Sequence, residues 1–358
     1  MSTFNQEIRF ARAGDGVRLA YAVAGTGYPL VRSTHWLTNI EFDWQTPSVG
    51  PLLERLAARY RLIRYNPRGY GLSEGEGMAL CLDSFVNDLE TVVDAAGLDR
   101  FALYGASGGG PISIAYAARH PDRVSHLVLV GGYARGLLHR NPTPEQKERL
   151  FATIKLIELG WGDDNPGIRQ MFTSQFFPDA TLEQMASFNE LQRRSASPKQ
   201  AAMMLLANQS LDATGVLNQV RCPTLVFCAT GDARVPIEEA RLVAASIPDA
   251  RFVPLESNNH VPLAGEPAFQ RLFDELSAFL PDSAETGNGH DVIGRLTPRE
   301  RQVLDLIARG CDNLQIAAHL GMAEKTVRNH ITSIFDKIAV ESRAQAIVLA
   351  RDTGLGRT

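Results

Sequence analysis

Apolar positions between residues 18 and 255 follow two alternating rhythms. Short β-branched or aromatic runs (RLAYAVAG, PLVRS, YRLIRYN, FALYGA, HLVLVGG, TLVFCATG and ARFVPLES) are separated by helical patterns such as SFVNDLETVVDAAG and PISIAYAARH. Continuous apolar runs of this length suit strands buried on both faces, and the intervening helices suit the crossovers of a parallel sheet. Between Gly132 and Pro223 the rhythm stops for about 90 residues, which read as helices rich in Phe, Met and Leu. An inserted helical cap over about 133–222 is expected. After FQRLFDELSAFL the pattern gives way to PDSAETGNGHD, a cluster of turn-formers that predicts a linker over 283–291. From 292 to 358 helical periodicity returns without a strand candidate, predicting a small all-α module behind an α/β domain spanning 1–282.

Composition fits two globular units. The chain has 358 residues, 44% hydrophobic and 21% charged, with a formal charge of −4. The balance is uneven: residues 290–358 carry ten Lys/Arg against eight Asp/Glu, so the tail is net positive and the rest net negative. The start, MSTFNQEIRFARAG, lacks a signal-peptide core, and the longest uncharged run, Phe101 to Ala118, is interrupted by glycines and Pro111. No membrane partner is expected. Cys81, Cys222, Cys228 and Cys311 lie far apart without CxxC spacing, so neither a disulfide framework nor a metal site is indicated, and no cofactor is expected. These features fit a reduced, cytoplasmic protein.

Gly105-Ala106-Ser107-Gly108-Gly109 sits between the strand FALY and a helix of small residues, the context a G-x-S-x-G nucleophile elbow requires. A serine hydroxyl is a poor nucleophile at neutral pH, so it needs an imidazole to take its proton and a carboxylate to fix the imidazole's tautomer. Asp232 follows the strand TLVFCATG and His260 follows the next, giving the order Ser107, Asp232, His260. The tetrahedral intermediate needs two backbone donors, assigned to Gly108 and to Trp36 in the loop Thr34-His35-Trp36. Trp36 either places its amide there and fills pocket space with its indole, or packs into the core. His35, Trp36, Ser107, Trp161 and His260 are the candidate ligand contacts. The aromatics Phe151, Trp161, Phe172, Phe176 and Phe177 suggest an apolar or aromatic small molecule.

These motifs make residues 1–282 resemble an α/β-hydrolase with a helical cap. Tyr65-Asn66-Pro67-Arg68-Gly69-Tyr70-Gly71-Leu72-Ser73 is similar to the family's D-x-R-G-x-G-x-S turn, with Asn66 in place of a bracing Asp. Thr34-His35-Trp36-Leu37 and Glu41-Phe42-Asp43-Trp44 resemble a branch fused to signalling or regulatory modules.

In the tail, Thr297, Pro298 and Glu300 spell a capped helix start. A helix over 313–320, Gly321, and a third helix over about 324–337 have helix-turn-helix spacing. Val327, Ile331, Ile334, Phe335 and Ile338 share one side of the third helix, whereas Lys325, Arg328, Asn329 and Thr332 share the other. Leu296-Thr-Pro-Arg-Glu, Asn313-Leu-Gln-Ile-Ala, Lys325-Thr-Val-Arg-Asn-His and Ser342-Arg-Ala-Gln-Ala together resemble the LuxR-type helix-turn-helix over about 60 residues. The resemblance implies that Lys325, Arg328 and Asn329 face the major groove while Thr326 and Lys337 hold phosphates of double-stranded DNA. Ala323 stands where that family caps the helix with Ser, and Gln315 replaces a common Glu. An exposed stripe of Ala346, Ile347, Leu349 and Ala350 is expected to pair two modules, hence a homodimer on an inverted repeat. The expected function is a ligand-responsive transcriptional regulator; the alternative is a serine hydrolase, an esterase or lactonase, with an appended DNA-binding module.

Overall fold

The structure, a computed structural model, describes residues 5–36, 38–281, 296–338, 340 and 342–356. Backbone proximity divides the chain into two compact units, 1–282 and 283–358. The linker expected over 283–291 lies outside the described residues.

The first unit is built on one sheet of eight strands: β1 (Glu7–Arg12), β2 (Arg18–Ala24), β3 (Pro29–Arg32), β4 (Arg61–Tyr65), β5 (Phe101–Ala106), β6 (Val124–Val130), β7 (Thr224–Ala229) and β8 (Arg251–Leu255). The order is β1-β2-β4-β3-β5-β6-β7-β8. The last six neighbours run parallel, but β2 pairs antiparallel with both β1 and β4. The all-parallel expectation is corrected at this edge. Strand β1 escaped the hydrophobic pattern because only Ala11 of its six residues is buried. Central strands β5 and β7 are buried at every position, which is why they read as unbroken apolar runs.

Helices flank the sheet: α1 (Gly50–Ala57), α2 (Leu82–Ala95), α3 (Gly109–Arg119), α8 (Ile237–Ser246) and α9 (Pro267–Phe279). Between β6 and β7 stand the four cap helices, α4 (Pro144–Gly160), α5 (Gly167–Phe176), α6 (Leu182–Ser195) and α7 (Pro198–Ser210). Three of them begin alike. Thr143, Thr181 and Ser197 accept from the backbone amides of Gln146, Gln184 and Gln200, satisfying donors that a helix start otherwise leaves open. In α4 and α6 the glutamine side-chain oxygen in turn accepts from the cap residue's own backbone amide, at 2.8 and 2.9 Å, closing a capping box.

Two buried ion pairs brace the loops on the carboxyl side of the sheet. Arg64 on β4 donates to both oxygens of Asp43 at 2.6 and 2.7 Å, and Arg68 grips Asp88 at 2.5 and 2.9 Å. Asn66 keeps the bracing role through one oxygen, which accepts from the Ile40 amide at 3.0 Å.

The second unit holds α10 (Pro298–Ala308), α11 (Asn313–Leu320), α12 (Glu324–Ile338) and α13 (Arg343–Asp352). Leu304, Ile307, Ile316, Val327, Ile334, Ile338, Ala346 and Ala350 form its core. Gly321 ends α11 at φ 63°, the left-handed conformation that lets the chain reverse into α12. No described helix is long and apolar enough to cross a membrane.

Candidate functional site

Ser107 lies in the turn between β5 and α3 with φ 49°, a left-handed conformation that costs a non-glycine residue roughly 1–3 kcal/mol. The tightness of that turn explains its neighbours. A Cβ on Gly105 would come within 2.5 Å of Ser113 Oγ, and one on Gly109 within 2.6 Å of both Ser33 Oγ and the Thr34 carbonyl. Gly108 precedes the first turn of α3, whose amides have no helical acceptor and carry the positive end of the helix dipole. An oxyanion would meet donors there.

Asp232 follows β7 and His260 follows β8, and the sheet brings them together: His260 Nδ1 stands 2.7 Å from Asp232 Oδ2, with both side chains almost fully buried. The other carboxylate oxygen accepts from the amides of Arg234 and Val235 at 2.7 and 3.2 Å. Burial alone would raise the Asp232 carboxyl, but the neighbouring His260 and these hydrogen bonds hold it below the usual aspartate value. His260 Nε2 makes no hydrogen bond among the described residues, and it faces a cavity lined also by Ser107. The cap contributes directly to this corner. The carbonyl of Phe176, at the end of α5, accepts the His260 amide at 2.8 Å.

The cavity measures about 50 Å³, and its walls include His35, Trp36, Val49, Leu52, Phe176, Phe177, Phe188 and Val261. Arg32 and Ser48 add its polar atoms. Desolvation first, and then the charges of Arg32 and His260, keep His35 well below the ordinary histidine value, so its ring is neutral. A second, more polar space of about 30 Å³ opens on the other side of Ser107 and Trp36, between Tyr133, Arg140, Asn208, Gln209 and Arg234. Arg234 donates to Gln175 at 2.7 Å and lies 4.9 Å over the Phe176 ring.

Trp36 is at once a wall of the site and part of the packing behind it. Its indole lines both spaces and also stacks on Phe172 with ring centres 5.7 Å apart and an interplanar angle of 20°. Trp161 is corrected from ligand contact to support: it is fully buried, lines neither space, and donates to the Gln192 carbonyl at 3.2 Å while standing edge-on to Trp36. Phe151 is likewise outside, more than half exposed on α4. Arg32 and Arg234 escaped the motif search. The signal for Arg32 was present, a charged residue inside the apolar run PLVRS, whereas Arg234 was hidden in an ordinary-looking GDARVP loop.

On α12 the faces fall as the periodicity requires: Val327, Ile334 and Ile338 are buried, while Lys325, Thr326, Arg328, Asn329 and Thr332 are exposed. Arg328 pairs along the exposed face with Glu324 at 2.7 Å. The Ala323 carbonyl accepts from Thr326 and Val327, so Ala323 holds the capping position with no side-chain oxygen to offer. Gln315 does close a capping box with Asp312.

One expectation gains a further partner, and one is corrected. Lys337 is 2.7 Å from both oxygens of Glu300, whose carboxylate also accepts from Ser333 and the Thr297 amide. Lys337, first among these contacts, holds the Glu300 carboxyl down at about 2. Lys337 thus has a carboxylate partner inside its own module besides the phosphate that the resemblance implies for it. The α13 stripe turns inward: Ala346 and Ala350 are fully buried in the core, Ile347 and Leu349 pack partly buried against it, and Val348 is a large apolar side chain left exposed.

Comparison with known proteins assigns both units. The model of the alpha/beta hydrolase fold matches residues 36–267, and that of bacterial regulatory proteins of the luxR family matches 294–350. The putative carbamate hydrolase RutD of Azorhizobium caulinodans is 29% identical over 257 residues, covering 70% of this chain and 91% of that protein. The probable transcriptional regulatory protein SgaR of Hyphomicrobium methylovorum is 45% identical over 60 residues, 17% of this chain and 28% of its own. Among solved structures, an esterase from Exiguobacterium antarcticum superposes with a TM-score of 0.63 at 24% identity, covering 75% of this chain and 97% of the esterase, a likeness of fold. The elbow at Ser107 and the reading helix at 324–338 therefore stand on recognised scaffolds, and the chain belongs to the alpha/beta hydrolase fold family and carries a C-terminal LuxR-type DNA-binding domain.

Proposed function

We propose that this protein is a ligand-responsive, cytoplasmic transcriptional regulator in which the α/β-hydrolase domain captures a small molecule beneath its cap and uses Ser107, Asp232 and His260 to hydrolyse it. The observation that carries the hydrolytic part is the buried 2.7 Å contact between His260 and Asp232, with the opposite imidazole nitrogen left toward the cavity that Ser107 lines. In the reaction His260 Nε2 takes the Ser107 proton as Oγ attacks the carbonyl carbon. Asp232 keeps Nδ1 protonated, and the Gly108 and Trp36 amides receive the oxyanion. The same imidazole returns the proton to the leaving group, and water then releases the acyl group by the reverse sequence. The DNA part rests on the LuxR-family match and the exposed Lys325, Thr326, Arg328 and Asn329. A homodimer on an inverted repeat follows from the symmetry of such operators.

Fusion to a DNA reader favours signalling over bulk turnover, so slow hydrolysis serves to reset the signal. The complete triad favours a second reading, a serine hydrolase whose DNA module localises it. Labelling with a fluorophosphonate, followed by intact mass, tests the machinery: stoichiometric modification of the wild type that disappears in Ser107→Ala is expected. No labelling of the wild type would overturn hydrolysis. Operator affinity measured with and without hydrolysed ester then separates the two readings, since the regulator changes affinity on occupancy and the localised enzyme does not.

A further inference from the structure

Arg32 ends β3, and its register neighbours are Arg64 on β4 and Tyr104 on β5. The sheet therefore sets two arginines side by side, and the nearby carboxylate, Asp43, is bonded bidentately by Arg64. Arg32 is only 5% exposed, makes no ion pair or hydrogen bond among the described residues, and its Nε is buried without an acceptor. It lines the same cavity as Ser107, His260 and Ser48. Ser48 Oγ is likewise buried without a partner.

Burial opposes the Arg32 charge, Arg64 opposes it further, and Tyr104 and Asp43 only partly offset this. A guanidinium nonetheless stays protonated in proteins, so the structure holds a buried cation that no carboxylate among the described residues pairs with directly. An isolated buried charge is costly, whereas a ligand carboxylate offers two oxygens to the planar fork of arginine and removes that cost on binding.

We infer that Arg32 is the anion-recognition residue of the cavity, and that the molecule held beneath the cap carries a carboxylate on its short apolar acyl side. The inference names the ligand class for the proposed site, and it rests on that reading for which bond faces Ser107. Arg32, Ser107 and His260 line one small cavity, so the chain between ester carbonyl and carboxylate is taken to be short. Ser48 Oγ, buried without a partner in the same cavity, would donate to that carboxylate, and Trp36, Phe177 and Phe188 would enclose the methylenes. Monoesters and lactone-derived half acids of the succinate and glutarate type fit this description.

The test uses the full chain with glutarate and its neutral isostere glutaramide, read by thermal shift and by protection of Ser107 from fluorophosphonate. Glutarate is expected to raise the melting temperature of the wild type and slow labelling, and glutaramide to do neither. In Arg32→Met glutarate binds at least about tenfold more weakly, as loss of a charge-assisted pair requires, while the ligand-free protein melts higher because an uncompensated charge has gone. Arg32→Lys keeps part of the response. Equal binding of glutarate and glutaramide, or equal binding of glutarate by wild type and Arg32→Met, overturns the inference. If Arg32→Met does not fold, the wild-type pair of ligands and Arg32→Lys decide it alone. Arg32-dependent glutarate binding without any labelling of the wild type would sink the hydrolytic reading and leave the carboxylate site standing.

Discussion

Phe176 holds His260 twice: its carbonyl accepts the histidine amide at 2.8 Å, and its ring meets the imidazole edge-on with centres 5.4 Å apart. Phe176 closes α5 of the cap, whereas His260 follows β8 of the sheet. The cap is thereby part of what fixes the imidazole proposed to act as general base. Phe176→Ala keeps the carbonyl but removes the ring, and large-to-small changes of a buried Phe cost about 3–5 kcal/mol. The expected outcome is a lower melting temperature together with slower fluorophosphonate labelling of Ser107. An unchanged labelling rate in the folded variant would mean that the ring only fills space.

Asp232→Asn tests the tautomer argument. Asp232 is held ionised by His260 and two amides, and it orients the proton on Nδ1. With an amide in its place the imidazole loses that instruction while packing changes little, so the labelling rate should fall by roughly 10³–10⁴ with the melting temperature nearly intact. Stopped labelling combined with unfolding would instead make Asp232 chiefly a loop brace.

The Lys337–Glu300 pair gives the reading module an acid sensitivity of definite sign. Glu300 titrates at about 2 in the folded chain against an ordinary value of 4.5. A depressed carboxyl stabilises the fold fully above its unfolded value, and that contribution drains away as pH falls from about 4.5 toward 2. Hydrogen exchange of residues 298–338 in the full chain should accelerate over that window, and Lys337→Met should shrink the step, leaving the part that Thr297 and Ser333 supply. The same variant should lose about 1–3 kcal/mol of module stability, because Glu300 is left buried beside fewer donors.

On DNA, Arg328→Ala and Asn329→Ala should relax sequence preference by about 1–3 kcal/mol against a wild-type-selected operator. Lys325→Ala should lower affinity across sequences and reduce the salt slope by about one unit if it also meets phosphate. Fluorescence anisotropy at two salt concentrations, with selected and scrambled duplexes, distinguishes these. Equal losses for all duplexes in Arg328→Ala and Asn329→Ala would remove base reading from those two residues.

The motif residues were legible because their chemistry forces local context. Ser107, Asp232 and His260 each follow a strand that announces itself as an apolar run, and Thr297-Pro298-x-Glu300 encodes its capped helix start within four residues. What escaped depended on partners distant in sequence. Lys337 lies on the chain 37 residues from Glu300, so periodicity could show its helix face but not its ion pair. Trp161 resembles any pocket aromatic until the Gln192 carbonyl takes its indole proton. Ala346 and Ala350 form an apolar stripe whether it meets a second copy or, as observed, the module's own core. Edge strand β1 carries too few buried residues to leave a signal.

The aromatic stack around Trp36 has an optical consequence. Trp36 and Trp161 are two of the chain's three tryptophans, and their rings stand 5.7 Å apart at 82°, one on the sheet's loop and the other at the end of cap helix α4. Indoles this close couple as a transition-dipole pair whose circular dichroism depends on their separation and angle. The protein therefore contains its own gauge of cap position. Any occupant that shifts the cap writes its arrival into the tryptophan spectrum, with no label attached and with DNA free to be present or absent.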